Sequence, residues 1–267
     1  MLQIRAKLIY NKNITGNFFH LTLRAPRISG KCLPGQFISV KVNGPNEPLL
    51  RRPFGIHKVK GSDMEVLYEV VGRGTEILSQ RKAGEYLDLI GPLGNGFDLG
   101  AFSGSRASSS PVIVAGGMGV APLLFLAQRL RGLRASSPKL RTEVLIGAKT
   151  ASSILCEKEF KNLGCDVKIA TDDGSRGFKG YVSGLLERGL NTGRRPRIVI
   201  YACGPRLMLK EISRISEEYN APAQASLEEH MACGIGACLG CVVNTKKGFE
   251  RVCKEGPVFK ANEIIWD

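Results

Sequence analysis

Ser226–Cys253 reads SLEEHMACGIGACLGCVVNTKKGFERVC, and its cysteines set the reading of the whole chain. They fall at Cys233, Cys238, Cys241 and Cys253, a C-x4-C-x2-C-x11-C pattern. That spacing is the one that holds a 2Fe–2S cluster. Each iron takes two thiolates, so a tight loop supplies three ligands and a separate strand the fourth. Gly234, Gly236 and Gly240 lie between the ligands. Residues without Cβ let backbone N–H groups come close to sulfur. Zinc is the main competitor for four cysteines, but zinc sites favour two short knuckles, and here three ligands share one loop.

Working outward, the chain has 267 residues, enough for one large domain or two plus a small module. The 43% hydrophobic content supports a proper core. No apolar run approaches the ~18 residues of a membrane span. The N-terminus, MLQIRAKLIYNKN, lacks an apolar signal core, so a cytoplasmic protein is expected. The other four cysteines, Cys32, Cys156, Cys165 and Cys203, are scattered singly, as in a reducing compartment. The net charge of +14 is spread along the chain without aromatic-interleaved basic motifs. Neither nucleic acid nor a membrane is an expected partner.

Residues 1 to 100 read as β structure. Short apolar runs recur at Ile4–Tyr10, Phe18–Leu23, Phe37–Val42, Phe54–Val59, Met64–Val71 and Tyr86–Ile90, with one helix at Thr75–Lys82. Six such strands predict a small antiparallel barrel or sandwich. Gly100–Pro111 is a Ser-rich link. Residues 111 to 222 then alternate strands and helices, from Val112–Ala115 and Val120–Leu130 to Ile198–Ala202 and Leu207–Tyr219. This predicts an open, mainly parallel sheet covered on both faces, with ligands beyond the carboxyl ends of its strands. Residues 223 to 267 form the cysteine module.

Leu50-Arg51-Arg52-Pro53-Phe54-Gly55 offers a planar guanidinium for a diphosphate and an aromatic face for a ring system. Taken alone it is more often a turn with solvated charges. Gly72-Arg73-Gly74-Thr75 opens a helix, where backbone N–H groups bind phosphate or Thr75 simply caps the helix. Both motifs in one β domain favour a flavin nucleotide. VIVAGGMGVAP (112–122) gives strand, glycine turn and helix without the full G-x-G-x-x-G fingerprint, the parts of a pyrophosphate site or of a tight turn with helix packing. Tyr201-Ala202-Cys203-Gly204-Pro205 ends a second strand at the same sheet edge, and Thr171-Asp172-Asp173-Gly174 a third. The last reads first as a turn, and Cys203 as a core cysteine. The three histidines form no cluster, and no catalytic nucleophile–base set is present. Any redox chemistry therefore belongs to cofactors.

This order of motifs resembles the ferredoxin–NADP reductase superfamily. SLEEHMACGIGACLGCVV followed by RVCKEGPVF is similar, more narrowly, to the electron transfer subunits of dihydroorotate dehydrogenase B (NAD+). The resemblance covers essentially the whole chain. It implies a β-barrel FAD domain (1–100), an α/β NAD domain (111–222) and a 2Fe–2S module (223–267). It implies FAD held by Arg52, Pro53, Phe54 and Gly55, the Tyr68–Glu69–Val70 backbone, Gly74 and Thr75. NAD would lie near Gly116, Gly117 and Gly119 and near Cys203, Gly204 and Pro205. The four loop cysteines would ligate the cluster. Such proteins commonly carry Ser or Thr where this chain has Gly55. The implied role is to carry electrons from an FMN-containing catalytic subunit, through the cluster and FAD, to NAD+ in pyrimidine biosynthesis. Two copies would assemble with two partner subunits. A related reductase subunit serving ferredoxin, sulfite reductase or hydrogenase partners, and a zinc-stabilised module without enzymatic function, stand as the rival readings. NAD and NADP stay open, with Lys149 able to meet a 2′-phosphate.

Overall fold

The computed structural model describes residues 1–42, 48–102, 109–133, 142–191 and 198–266. The strands Leu2–Thr15 (β1), Phe18–Arg24 (β2) and Phe37–Lys41 (β3), and the short helix Pro26–Ser29 (α1), open the chain. Arg52–Gly55 (β4), Lys58–Lys60 (β5), Asp63–Glu69 (β6), the helix Arg73–Ser79 (α2) and Tyr86–Leu93 (β7) follow. The strands pair antiparallel in the order β4-β3-β7-β1-β2-β6-β5. Alternation sends Ala6, Leu8, Leu21, Leu23, Val66, Leu87 and Leu89 into one core, as a sheet with one solvated face requires.

One expected strand, Phe54–Val59, is two. Its first half pairs with β3 and its second with β6. The crossover is made by Ile56 and His57, whose N–H groups donate to Gln36 O at 3.1 Å and Glu65 O at 2.9 Å. The chain changes partner there, which rolls the sheet into a half-barrel. Phe54 and Tyr68 meet across the roll, their ring centres 5.6 Å apart.

The second sheet comprises Ser110–Gly116 (β8), Glu143–Ala148 (β9), Asp166–Thr171 (β10), Phe178–Lys179 (β11), Ile198–Cys203 (β12) and Ala223–Ser226 (β13). Its helices are Val120–Leu133 (α3), Glu157–Asn162 (α4), Val182–Leu190 (α5) and Arg206–Glu218 (α6). Past the hairpin Val242–Thr245 (β14) and Gly248–Arg251 (β15), Val258–Lys260 (β16) returns to the sheet edge. The order is β11-β10-β9-β8-β12-β13-β16, parallel except for the last pair. The order reverses between β8 and β12, and ligands sit at such a switch point. Ala223–Ser226 and Val258–Lys260, read from sequence as part of a separate module, are strands of this sheet. The cysteine segment is thus an excursion from the sheet edge, anchored at both ends. The centre of the Ser-rich link, 103–108, lies outside the described residues.

Helix α3 joins the layers. Val120 through Ala127 are all buried, and a helix apolar all round must be covered on every side. Its Val120, Leu123 and Leu124 join the core beside β8 and β9, while Phe125 joins that of the half-barrel.

Candidate functional site

Two turns meet at the switch point. Gly116–Gly119 follows β8, and Gly204–Pro205 follows β12. Gly119 packs so closely on the second turn that a Cβ there would lie 2.1 Å from Cys203 O. Gly117 has φ +52, and a Cβ there would meet nothing within 4 Å, so the turn faces open space at this residue. The geometry offers bare N–H groups at the start of α3, as a pyrophosphate requires. Cys203 itself is 1% exposed. Burial, with Glu228 nearby, pushes its thiol well above the usual range. It is a core thiol at the floor of the site. At the end of β10, Asp173 accepts from Ser175 N at 2.9 Å and Ser175 Oγ at 2.6 Å, so this motif is a turn, as its first reading had it.

On the half-barrel, the Arg52 guanidinium lies against Gly74, where a Cβ would stand 2.5 Å from Nε. Arg52 donates to Leu50 O at 2.7 Å and has no carboxylate partner among the described residues. A cation is therefore held over the first turn of α2, where a diphosphate would be neutralised. Thr75 is committed elsewhere. Its Oγ1 accepts from Val71 N at 3.0 Å and Gly72 N at 3.3 Å and donates to Gly72 O at 3.0 Å. It caps α2, leaving backbone groups to meet a ligand. The Phe54 ring is 8% exposed and packs on Tyr68 in the barrel core. It does not present the open stacking face inferred from sequence, because inward alternation on β4 buries it. Tyr68 is likewise buried and donates to Asn11 Oδ1 at 3.0 Å, and Glu69 and Val70 follow on the rim.

The two surfaces face one another. Gly55 lies beside Pro122 of α3, a Cβ at 55 standing 3.4 Å from the proline Cβ. Beside it, His57 Nδ1 is 2.6 Å from Ala121 O. A carbonyl only accepts, so Nδ1 carries the proton. Burial lowers His57 to about 4, only partly offset by the Ala121 carbonyl, so the ring stays neutral. Sequence reasoning left this histidine unassigned, and nothing in its local pattern marks it.

The cysteine loop caps the same end of the molecule. Gly234 rests on Ser39 of β3, a Cβ there standing 3.5 Å from its Oγ. Asn95, just past β7, donates to Lys254 O at 3.2 Å and Glu255 O at 2.9 Å. The loop turns its N–H groups toward sulfur. Ile235 N and Ala237 N donate to Cys233 Sγ at 3.5 and 3.3 Å, Gly240 N to Cys238 Sγ at 3.4 Å, and Cys253 N to Cys241 Sγ at 3.4 Å. Burial raises the Cys233 thiol, but these donors outweigh it and bring it to about 6. Burial lifts Cys253 to about 12. The Cys253 N–H bond to Cys241 Sγ ties the distant cysteine to the loop that carries the other three. Four thiols so grouped suit two irons with two thiolates each. Arg251 and Glu255 frame the loop. Arg251 Nη1 donates to Gly236 O at 2.7 Å and Nε to Glu255 Oε2 at 2.9 Å. Sequence reading missed this pair, which closes across a turn where helical spacing does not apply.

A flavin-type half-barrel, a nucleotide sheet and a cysteine loop at their junction define an oxidoreductase of the ferredoxin–NADP reductase type with an added iron–sulfur module. Residues 113–214 match the oxidoreductase NAD-binding domain. Residues 228–265 match the iron-sulfur cluster binding domain of dihydroorotate dehydrogenase B. The chain is 42% identical to the dihydroorotate dehydrogenase B (NAD(+)) electron transfer subunit of Desulforamulus reducens, covering 98% of both. It is 38% identical to that of Caldanaerobacter subterraneus subsp. tengcongensis, covering 99% of both. Among solved structures, an NADH-dependent reduced ferredoxin–NADP oxidoreductase superposes with TM-score 0.83 at 27% identity, over 98% of this chain and 90% of the other. A Neisseria gonorrhoeae ferredoxin NADP+ reductase with bound FAD and NADP shares the fold at TM-score 0.67 and 16% identity, over 81% of this chain and 91% of the other. The chain belongs to the family of dihydroorotate dehydrogenase B (NAD(+)) electron transfer subunits.

Proposed function

We propose that this chain carries electrons from dihydroorotate, oxidised on an FMN-containing catalytic partner, to NAD+ in pyrimidine biosynthesis. The observation that carries the reading is the set of backbone N–H groups aimed at Cys233, Cys238 and Cys241 on a segment seated on both β3 and the β7 end of the half-barrel. When bound, the cluster supplies one-electron transfer, the flavin joins one- to two-electron chemistry, and the nicotinamide takes up hydride. The chain's own residues position these groups. Cys233 and Cys238 would hold one iron, Cys241 and Cys253 the other, with the loop N–H groups stabilising thiolate charge. Arg52 and the first turn of α2, around Gly74, would neutralise the flavin diphosphate, beside Pro53, Gly55 and the backbone of Tyr68, Glu69 and Val70. Gly116, Gly117, Gly119, Gly204 and Pro205 would receive the dinucleotide across the cleft. The Gly55–Pro122 contact and the His57–Ala121 hydrogen bond fix the spacing of the two surfaces.

In this reading dihydroorotate binds the catalytic partner. Its share of the work ends at a surface, and the surface beside the loop suits a protein partner. Leu239 is 61% exposed and Phe249 79% exposed, and with Val242, Glu250, Arg251 and Glu255 they line an open cleft. Exposed apolar side chains rimmed by charge mark association sites. We place the catalytic subunit there, two copies of each chain forming the assembly. No described helix is long and apolar enough to cross a membrane. Cluster ligation by free thiolates suits a reducing compartment, and we place the protein in the cytoplasm.

Reconstitution tests the proposal. The loaded chain, mixed with an FMN-containing catalytic subunit, is expected to give dihydroorotate-dependent NAD+ reduction that neither chain gives alone. No reduction of NAD+ by the reconstituted pair would contradict it.

A further inference from the structure

We infer that Arg251 and Glu255 are a balanced charge pair whose two charges act on the reduction potential of the cluster in opposite directions. The inference rests on the cluster reading above and goes beyond it, to two residues that ligate nothing. Arg251 lies two residues before Cys253 and Glu255 two residues after it. The guanidinium meets the carboxylate in a fork, Nε to Oε2 at 2.9 Å and Nη2 to Oε1 at 2.5 Å. Arg251 N also donates to Oε2, at 2.8 Å. The remaining arm, Nη1, reaches Gly236 O at 2.7 Å. Gly236 sits midway between Cys233 and Cys238. A positive charge is thus fastened to the three-cysteine loop, and its counter-charge to the turn that follows the fourth cysteine.

The pair is placed where its charges count. The two side chains are only 25% and 28% exposed, and a half-buried charge is screened far less than one in open water. Reducing the cluster adds one negative charge to the site. A neighbouring cation favours that form and a neighbouring carboxylate opposes it, as for any charged form. In the fork the two effects offset each other. Removing one partner leaves the other uncompensated beside the cluster. The pair also lines the cleft proposed for the partner, so docking would dry it and strengthen both effects.

The two single variants therefore have opposite signs. Arg251→Gln leaves Glu255 alone and lowers the potential. Glu255→Gln leaves Arg251 alone and raises it. Each change is expected to alter the oxidised-to-reduced ratio at fixed potential about tenfold, or about 59 mV for a one-electron couple. The double variant Arg251→Gln/Glu255→Gln returns close to the starting value. A pair that merely fastened the loop would lower iron content in both variants and would not move the potential in opposite directions.

The experiment is an anaerobic potentiometric titration of the loaded full-length chain, following the electron paramagnetic resonance signal of the reduced cluster. The flavin potential in the same sample is the internal control. Opposite shifts, cancelling in the double variant, support the inference. Shifts of the same sign, or none above about twofold in the ratio, overturn it. Should Arg251→Gln fail to load iron, Glu255→Gln decides alone. Failure of both to load overturns the inference, because the pair is then a fastener only. A wild-type chain with no cluster signal at all overturns the underlying reading and this proposal with it.

Discussion

The glycine turn after β8 and the cysteine loop both aim backbone N–H groups at a guest, yet they are built in opposite ways. The turn is made by packing. Gly119 lies within 2.1 Å of Cys203 O, measured from the Cβ it lacks, and the first turns of α3 behind it, Val120–Ala127, are all buried. Its shape is set by packing within the chain. The loop has no such backing. Ala237, Cys238, Leu239 and Gly240 are exposed, and few apolar contacts hold them. Hydrogen bonds to sulfur and the Arg251 arm define its course. The lesson is that a site for a reversible substrate is preorganised by the core, whereas a site for a resident cluster leans on the cluster itself.

The sharpest break is Cys238→Ser. It removes a ligand from the exposed side of the loop and leaves the turn untouched. Dihydroorotate-linked NAD+ reduction in the reconstituted complex should fall to background while the chain keeps FAD and still reduces it with NADH. Full retained activity would sink the electron route. The mirror experiment is Gly119→Ala. Its Cβ meets backbone that cannot give, so it should cost about 3 kcal/mol in a urea titration. Misplacing the nucleotide should slow NADH-to-flavin transfer about a hundredfold, with the cluster spectrum unchanged. An undisturbed Gly119→Ala protein would show that the turn is not preorganised.

A third test concerns the tie between half-barrel and turn. His57 falls to about 4 from its ordinary 6.5, mainly through burial, with His20 pushing down and Glu65 and Glu159 pulling up. The unfolded chain binds the proton first as pH falls. Stability is therefore full above about pH 6.5 and declines as pH drops toward 4, by about 3 kcal/mol. Urea midpoints between pH 7 and 4.5 should fall, and His57→Gln should flatten that dependence. A pH-independent midpoint in the native protein would contradict the burial account. The smallest effect is local. Chelating the iron should raise amide hydrogen exchange across 233–241 and leave 112–120 as protected as before. Equal loosening of both would erase the contrast between them.

Much of this was legible in sequence because it depends on spacing. The cysteine intervals, the glycine turn and the change from two-residue to helical periodicity all survive without coordinates. What stayed hidden depends on contacts between distant segments. Phe54 reads as an available aromatic, yet the inward phase of β4 buries it. Phe54–Val59 reads as one strand, because nothing local tells that Ile56 and His57 exchange β3 for β6. Ala223–Ser226 reads as the start of a module, although parallel pairing with β12 makes it the sheet's next strand. Asn95, about 160 residues from the turn it holds, has no sequence signature at all.

On this account the loop holds a two-iron cluster beside a flavin. The most direct test is to purify the chain anaerobically, quantify iron, sulfide and flavin, and record its absorption before and after reduction. About two irons and two sulfides with one FAD per chain, and flavin bands over a broad red shoulder that bleaches on reduction, are the expected result. A flavin-free, colourless chain carrying zinc on Cys233, Cys238, Cys241 and Cys253 would contradict the account.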